Sequence, residues 1–324
     1  MSDKKELKEI RFDATEIVLQ DNLVRGSILP EKISELTRNV IINGNTEIEG
    51  AVFGNTIQVR GGDVSVKGAV FAQKELYIST EVKGSVTFMK AVGSADSITA
   101  RAGGRPTFCS DLNGKSVTLQ NCYVAGSIYA DEISLENCVV IGGVFATQEA
   151  RISNCIVGTF NASRVTLSGV VQLLLPSAFT LEPPVVESNT RLYNLALADL
   201  GALFKGVQQD ELSGRIPMNL ETDEVKSNLT MEDGRPRQLR SFTVIGKVLA
   251  ADMIDTDRFH NHFLLTAASL GPQLLKTYDL GKGADGKTVA LDTESIRDFL
   301  FDILSGKKEP KEMDGRFSLE EMAR

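Results

Sequence analysis

The chain of 324 residues carries only two histidines, His260 and His262. Two residues apart on a helix, they point to different faces and cannot share a metal ion. One stretch, Gly281-Lys-Gly-Ala-Asp-Gly286-Lys287-Thr288, matches the phosphate-binding pattern G-x-x-x-x-G-K-[ST]. Such a loop offers backbone N–H groups and a lysine to phosphate, with Thr288 placed for Mg²⁺. It needs a buried strand before it and a helix starting within it. Here Lys276-Thr-Tyr-Asp-Leu280 is a poor buried strand, Thr288-Val-Ala-Leu291 reads as a strand, and Asp285-Gly286 is a favoured hairpin turn pair. The hairpin is the preferred reading, and a phosphate loop at Gly281, Gly286, Lys287 and Thr288 is the alternative. Asp252, Asp255 and Asp257 lack the glycine and terminal glutamate of a calcium loop. Arg235, Arg237 and Arg240 form a short basic cluster that reads as a solvated loop.

The four cysteines are Cys109, Cys122, Cys138 and Cys155. Three follow an asparagine, as Asn121-Cys122, Asn137-Cys138 and Asn154-Cys155, spaced by 16 and 17 residues. That spacing predicts one pair per turn of a repeating structure, with asparagine at a corner and cysteine as a small buried apolar residue. Without a C-x-x-C pair or a fourth ligand in register, no metal site is expected.

These residues sit in a chain dominated by one repeat. The pattern apolar, any residue, Gly, small, apolar occurs as Val24-Arg-Gly26-Ser-Ile28, Ile48-Glu-Gly50-Ala-Val52 and Val66-Lys-Gly68-Ala-Val70. It returns as Val82-Lys-Gly84-Ser-Val86, Val124-Ala-Gly126-Ser-Ile128 and Val140-Ile-Gly142-Gly-Val144, with a weaker copy around Gly158. The glycine spacings are 24, 18, 16, 42, 16 and 16, and the long gap has room for one degenerate turn and a loop at Gly103-Gly104-Arg105-Pro106. A second, alternating strand follows most copies: Ile57-Gln-Val59, Leu76-Tyr-Ile78, Val117-Thr-Leu119, Ile133-Ser-Leu135 and Val165-Thr-Leu167. A period of 16 to 18 is too short for a crossover helix, so it predicts one coil of a right-handed parallel β-helix.

The expected division is a tail over 1–14, the β-helix over 15–185, a helix and linker over 186–240, a smaller α-rich C-terminal domain over 241–306, and a charged tail over 307–324. Leu192, Leu195, Leu200, Leu203 and Phe204 form a helical stripe, and Asp257 reads as the cap of a helix carrying Phe259, Phe263, Leu264, Ala267 and Leu270. Phe242–Leu249 is apolar enough for a strand or a buried helix. The clearest helix has Thr293 as cap, Ile296, Phe299, Leu300, Ile303 and Leu304 on its buried face, and Gly306 at its end.

Net charge is −8 with no tryptophan, which argues against a nucleic-acid partner. The opening segment has no apolar core and no stretch approaches a membrane span, so a cytoplasmic protein is expected; association with a membrane stays open, without support from the sequence.

The repeated V-x-G-[AS]-[VI] coils over about residues 20–185 resemble the bactofilins, bacterial polymer-forming cytoskeletal proteins. The resemblance implies a right-handed β-helix that assembles end to end without nucleotide and serves as a scaffold. This chain departs from that pattern in the disrupted turn near residues 90–110 and in the region after residue 185. Short-coil solenoid acyltransferases and carbonic anhydrases use histidine within the coil, and residues 1–259 hold none. The expectation is a non-enzymatic scaffold without cofactor. It self-associates through the ends of the β-helix, at Val24 and Ile28, and offers its C-terminal domain to a protein partner. The alternatives are a nucleotide-binding enzyme or switch using Gly281–Thr288, and a soluble dimeric adaptor.

Overall fold

The computed structural model describes residues 11–12, 15–30, 36–101, 103–175, 177–182, 184–187, 190–195, 263–266, 268–270 and 293–308. The fold is a parallel β-solenoid of about nine turns. Each turn folds into three short strands, so the rod has three faces. The first face stacks Glu16–Gln20, Asn39–Asn43, Ser97–Ala100 and Ser116–Gln120 among others. The second stacks Thr46–Ile48, Val64–Val66 and Val86–Phe88, and the third runs through Val92–Ser94 and Leu112–Asn113.

The register explains the repeat. Val24, Ile48, Val66, Phe88, Phe108, Val124 and Val140 pair in succession along the second face. Ile28, Val52, Val70, Val92, Leu112, Ile128 and Val144 do the same on the third. All are buried in one continuous core. Alternation puts every second residue inward, and strand pairing stacks like on like at ~4.8 Å. Phe88 and Phe108 stack within that core at 5.3 Å.

The glycine motif therefore bridges two faces across a corner. Its first apolar residue ends the second face, its last begins the third, and the glycine lies where successive turns come closest. A Cβ on Gly68 would sit 2.3 Å from the backbone carbon of Gly50. The small residue after the glycine ties one corner to the next: Ser27 Oγ accepts the N–H of Ala51, and Ser127 Oγ accepts that of Gly143.

One copy is out of phase. A Cβ on Gly84 would meet the carbonyl oxygen of Gly62, at the corner between the first and second faces. Val82-Lys-Gly84-Ser-Val86 thus enters the second face instead of leaving it. The gap of 42 holds two full turns, because the chain visits the second face three times within it, at Val86–Phe88, Thr107–Phe108 and Tyr123–Val124. At this first-to-second corner the backbone turns left-handed, at Asp21, Asn121, Asn137 and Asn154 with φ of 48–56°. Asparagine and aspartate tolerate that region better than other non-glycine residues.

Two helical expectations are corrected. Arg191–Leu195 is a strand, paired in parallel with Val170–Leu173, and not the start of a helix carrying Leu192 and Leu195. Phe263–Thr266 and Ala268–Leu270 are also strands, in place of the expected helix over Phe263, Leu264 and Leu270. Their backbones complete the exposed edge of the final turns, an interaction between distant segments that outweighs local propensity. The α-rich character expected of 241–306 reduces, among the described residues, to helix α1, Thr293–Leu304, which has the expected bounds and the expected Gly306 stop at φ 73°. Residues 196–206, 208–238, 242–249 and the tail from 309 lie outside the described residues. Among the described residues no helix is long and apolar enough to cross a membrane.

Gly68→Ala is expected to destabilise the solenoid by roughly 2–4 kcal/mol, because the added methyl strikes backbone that cannot move aside. Gly26→Ala occupies the same motif position in the first turn, with nothing within 4 Å of the added atom, and should leave stability nearly unchanged. Urea denaturation of the two variants checks the contrast.

Candidate functional site

Three surfaces offer themselves for function: the rod's ends, its second face and its third face. The structure brings Val24 and Ile28 together in the first turn, but both point into the core, at 7% and 5% exposure. What the first turn presents outward is backbone. Ile28 N–H donates to Ala51 O, Val24 O accepts from Glu49, and both residues pair toward the second turn. The alternation of a parallel ladder turns the amide and carbonyl of Leu23 and Ser27 to the other side. Among the described residues only the first face is covered at this end, where Arg11–Phe12 runs antiparallel to Ile17 and Val18. Leu29 beside it is 58% exposed. At the far end the third face closes differently: Phe263–Thr266 lies antiparallel against Ser177–Thr180.

The second face is polar outside in its early turns, at Glu47, Ser65 and Thr87, and apolar later, at Tyr123, Val139 and Ile156. Helix α1 covers the apolar part. Ile296, Phe299, Leu300, Phe301 and Ile303 bury against Tyr123, Val139, Ile141, Ile156 and Leu174. Its edge is fixed by polar contacts. Arg297 donates to Thr107 Oγ1 at 3.3 Å and pairs with Glu294 and Asp298, while the Arg105 guanidinium lies 4.4 Å from the Phe301 ring centre. Burial pushes the Tyr123 phenol well above its ordinary range, against a smaller lowering by Arg297. The sequence signal for this docking was the double apolar run after each Asn-Cys pair, Tyr123-Val124, Val139-Val140 and Ile156-Val157: a strand apolar on both faces is covered on both.

The third face carries outward aromatics at matching positions. Phe53 pairs with Phe71, then come Gly93 and Asn113, then Tyr129 and Phe145, and one repeat on, Asn161. Phe53 and Phe71 lie 6.1 Å apart, and Tyr129 and Phe145 stack at 5.2 Å and 15°. The absence of large side chains at Gly93 and Asn113 leaves an open groove of about 1050 Å³ that runs from Phe71 to Leu181. Its far wall holds Lys115, Asp131, Thr147 and Ser163. Thr147 Oγ1 donates to Asp131 Oδ1 at 2.5 Å, and Ser163 Oγ to Thr147 O at 2.7 Å. The sequence reading missed this surface. The signal was the residue after the motif, which is aromatic in Val52-Phe53, Val70-Phe71, Ile128-Tyr129 and Val144-Phe145.

Comparison with family models, curated proteins and solved structures finds no match. The bactofilin resemblance is carried by the repeat alone.

The cysteines stack as expected. Cys122, Cys138 and Cys155 are fully buried at one corner, and each thiol donates to the carbonyl two residues back, at Gln120, Glu136 and Ser153. Burial pushes the Cys122 and Cys155 thiols well above their ordinary value, which keeps them protonated. They act as corner residues, as Thr46 does by donating to Asn43 O. Among the described residues no group of His, Cys, Asp and Glu is placed to hold a metal ion. The phosphate-loop residues Gly281, Gly286, Lys287 and Thr288, and likewise His260, His262, the Asp252–Asp257 group and the arginine cluster, lie outside the described residues.

Two outcomes are expected for the helix-covered face. Leu300→Ala removes a fully buried side chain and should cost ~2–5 kcal/mol of docking. Hydrogen exchange of 293–304 should rise while that of residues 40–100 stays unchanged. The second concerns pH. A phenol whose folded pKa is raised keeps its full stabilising effect below the ordinary value near 10 and loses it as pH rises beyond. Melting temperature should therefore fall above about pH 10, and less steeply in Tyr123→Phe.

Proposed function

We propose that this chain is a non-enzymatic, bactofilin-like scaffold of the cytoplasm, built on a right-handed β-helix and self-associating through its N-terminal end. Right-handedness follows the strong preference of parallel strand connections. The observation that carries the proposal is the backbone of Leu23 and Ser27 in the first turn, which is turned away from the second turn and against which no strand lies among the described residues. A solenoid satisfies each turn's N–H and C=O groups with the turns above and below, so an uncovered end seeks a further strand. A second copy of the same end supplies one.

A twofold axis across the rod brings two first turns together antiparallel, which makes a closed pair. The antiparallel strand Phe263–Thr266 on the last turn favours this pair over an open filament, because it interrupts parallel stacking there. The joined rods then display two helix-covered faces and two open grooves on one rigid body, an arrangement suited to holding partner proteins at fixed separation.

Sedimentation of the full chain at micromolar concentration should give a dimer. Leu23→Pro removes an N–H that no turn uses among the described residues and places a ring in the path of an added strand. It should shift the protein to monomer, with a circular dichroism spectrum and melting temperature close to wild type. A wild-type monomer under the same conditions sinks the reading.

A further inference from the structure

We propose that the groove on the third face is a binding site for a linear, neutral, β-linked polysaccharide lying along the rod axis. The inference rests on four observations about the groove itself and does not depend on the self-association reading.

The first is shape. The groove runs from the turn of Phe71 to that of Leu181, six strand spacings or roughly 29 Å, and is open along its length. It suits a chain and not a compact ligand. One strand spacing is also close to the length of one pyranose unit, so successive sugars meet successive turns in like register.

The second is the aromatic surface. Tyr129 and Phe145 are nearly parallel with ring centres 5.2 Å apart. Rings in contact lie only ~3.5–4 Å apart in the normal direction, so the pair is offset; Phe145 also folds over Gly143, where an added Cβ would strike its ring, so Tyr129 is the more open of the two. Tyr129 is 43% exposed, and Phe71 leans over Gly93, where an added Cβ would sit 3.2 Å from its ring. Between the two aromatic stations the floor holds only Gly93, beneath the Phe71 ring, and Asn113. The equatorial C–H face of a β-linked sugar packs on such rings as a flat apolar surface.

The third is charge. Lys115 and Asp131 give the lining one positive and one negative side chain, and the remaining polar groups are amides and hydroxyls, among them Asn113 and Asn161. A nucleic acid or an acidic polymer would need an excess of positive charge. Neutral hydroxyls match amide and hydroxyl partners.

The fourth is the backbone. The strands of this face are paired with a turn on each side, as Val92–Gly93 is with Val70–Phe71 and with Leu112–Asn113. An extended peptide binds a sheet by adding to a free edge, and here the sheet offers only its face.

The test is calorimetric titration of the full chain with cellohexaose and chitohexaose, with maltohexaose, whose α-linkage curls the chain, as comparison. Saturable binding of at least one β-linked hexasaccharide is expected, with no binding of maltohexaose. Tyr129→Ala should weaken it about tenfold through loss of one stacking surface. Asn113→Arg, which lays a long charged side chain across the floor without adding or removing a ring, should abolish it. Met89→Ser, at an exposed position outside the groove, should leave it unchanged. Melting temperatures close to wild type establish that each variant is folded. No binding of either β-linked hexasaccharide at millimolar concentration would overturn the proposal. So would binding that survives both Tyr129→Ala and Asn113→Arg, or equal binding of maltohexaose.

Discussion

The closest approach of one turn's backbone to the next, at the corner between the second and third faces, is the constraint on which the rest of the rod depends. At Gly50, Gly68, Gly142 and Gly158 an added Cβ would fall 2.3–2.6 Å from atoms of the preceding turn. Only a residue without a side chain lets the turns meet there at strand spacing. Once they meet, the three ladders close together, the inward residues stack into columns, and a core forms that is one side chain wide at each level. Thr, Ser and Cys inside the corners then satisfy carbonyls that the ladders leave over, as Thr46 and the three buried cysteines do.

How far the sequence discloses this structure depends on which interactions each residue serves. The inward columns are legible because every turn imposes the same demand at the same offset, and the Asn-Cys pairs because a left-handed corner selects asparagine. The phase of the Gly84 copy is not legible. Both corners accept a glycine, and only the lengths of the neighbouring strands decide which corner this one occupies. The strands at Arg191–Leu195 and 263–270 read as helices in the sequence because their partners lie at the end of the rod, and a stripe of leucines carries no mark of that edge.

The surfaces are less legible than the core. Outward residues answer to whatever lies against them, so their pattern changes along the rod while the inward pattern does not. Tyr123, Val139 and Ile156 are apolar because a helix from far along the chain rests on them, whereas Glu47 and Ser65 meet water. The phenylalanines and tyrosine of the third face follow the glycine motif so closely that they read as part of it. Their outward direction emerges only when the inward column next to them is assigned.

The placement of α1 also bears on how the rod behaves as a thermodynamic object. A bare solenoid is nearly one-dimensional: each turn feels only its neighbours, and the chain can fray from either end. Helix α1 lies across several turns at once, from that of Thr107 to that of Leu174, and couples them into a single cooperative unit. The turns before residue 90 have no such strap among the described residues. Opening in the native state therefore begins at the first turns and halts at the strapped ones, giving the molecule a soft half and a hard half.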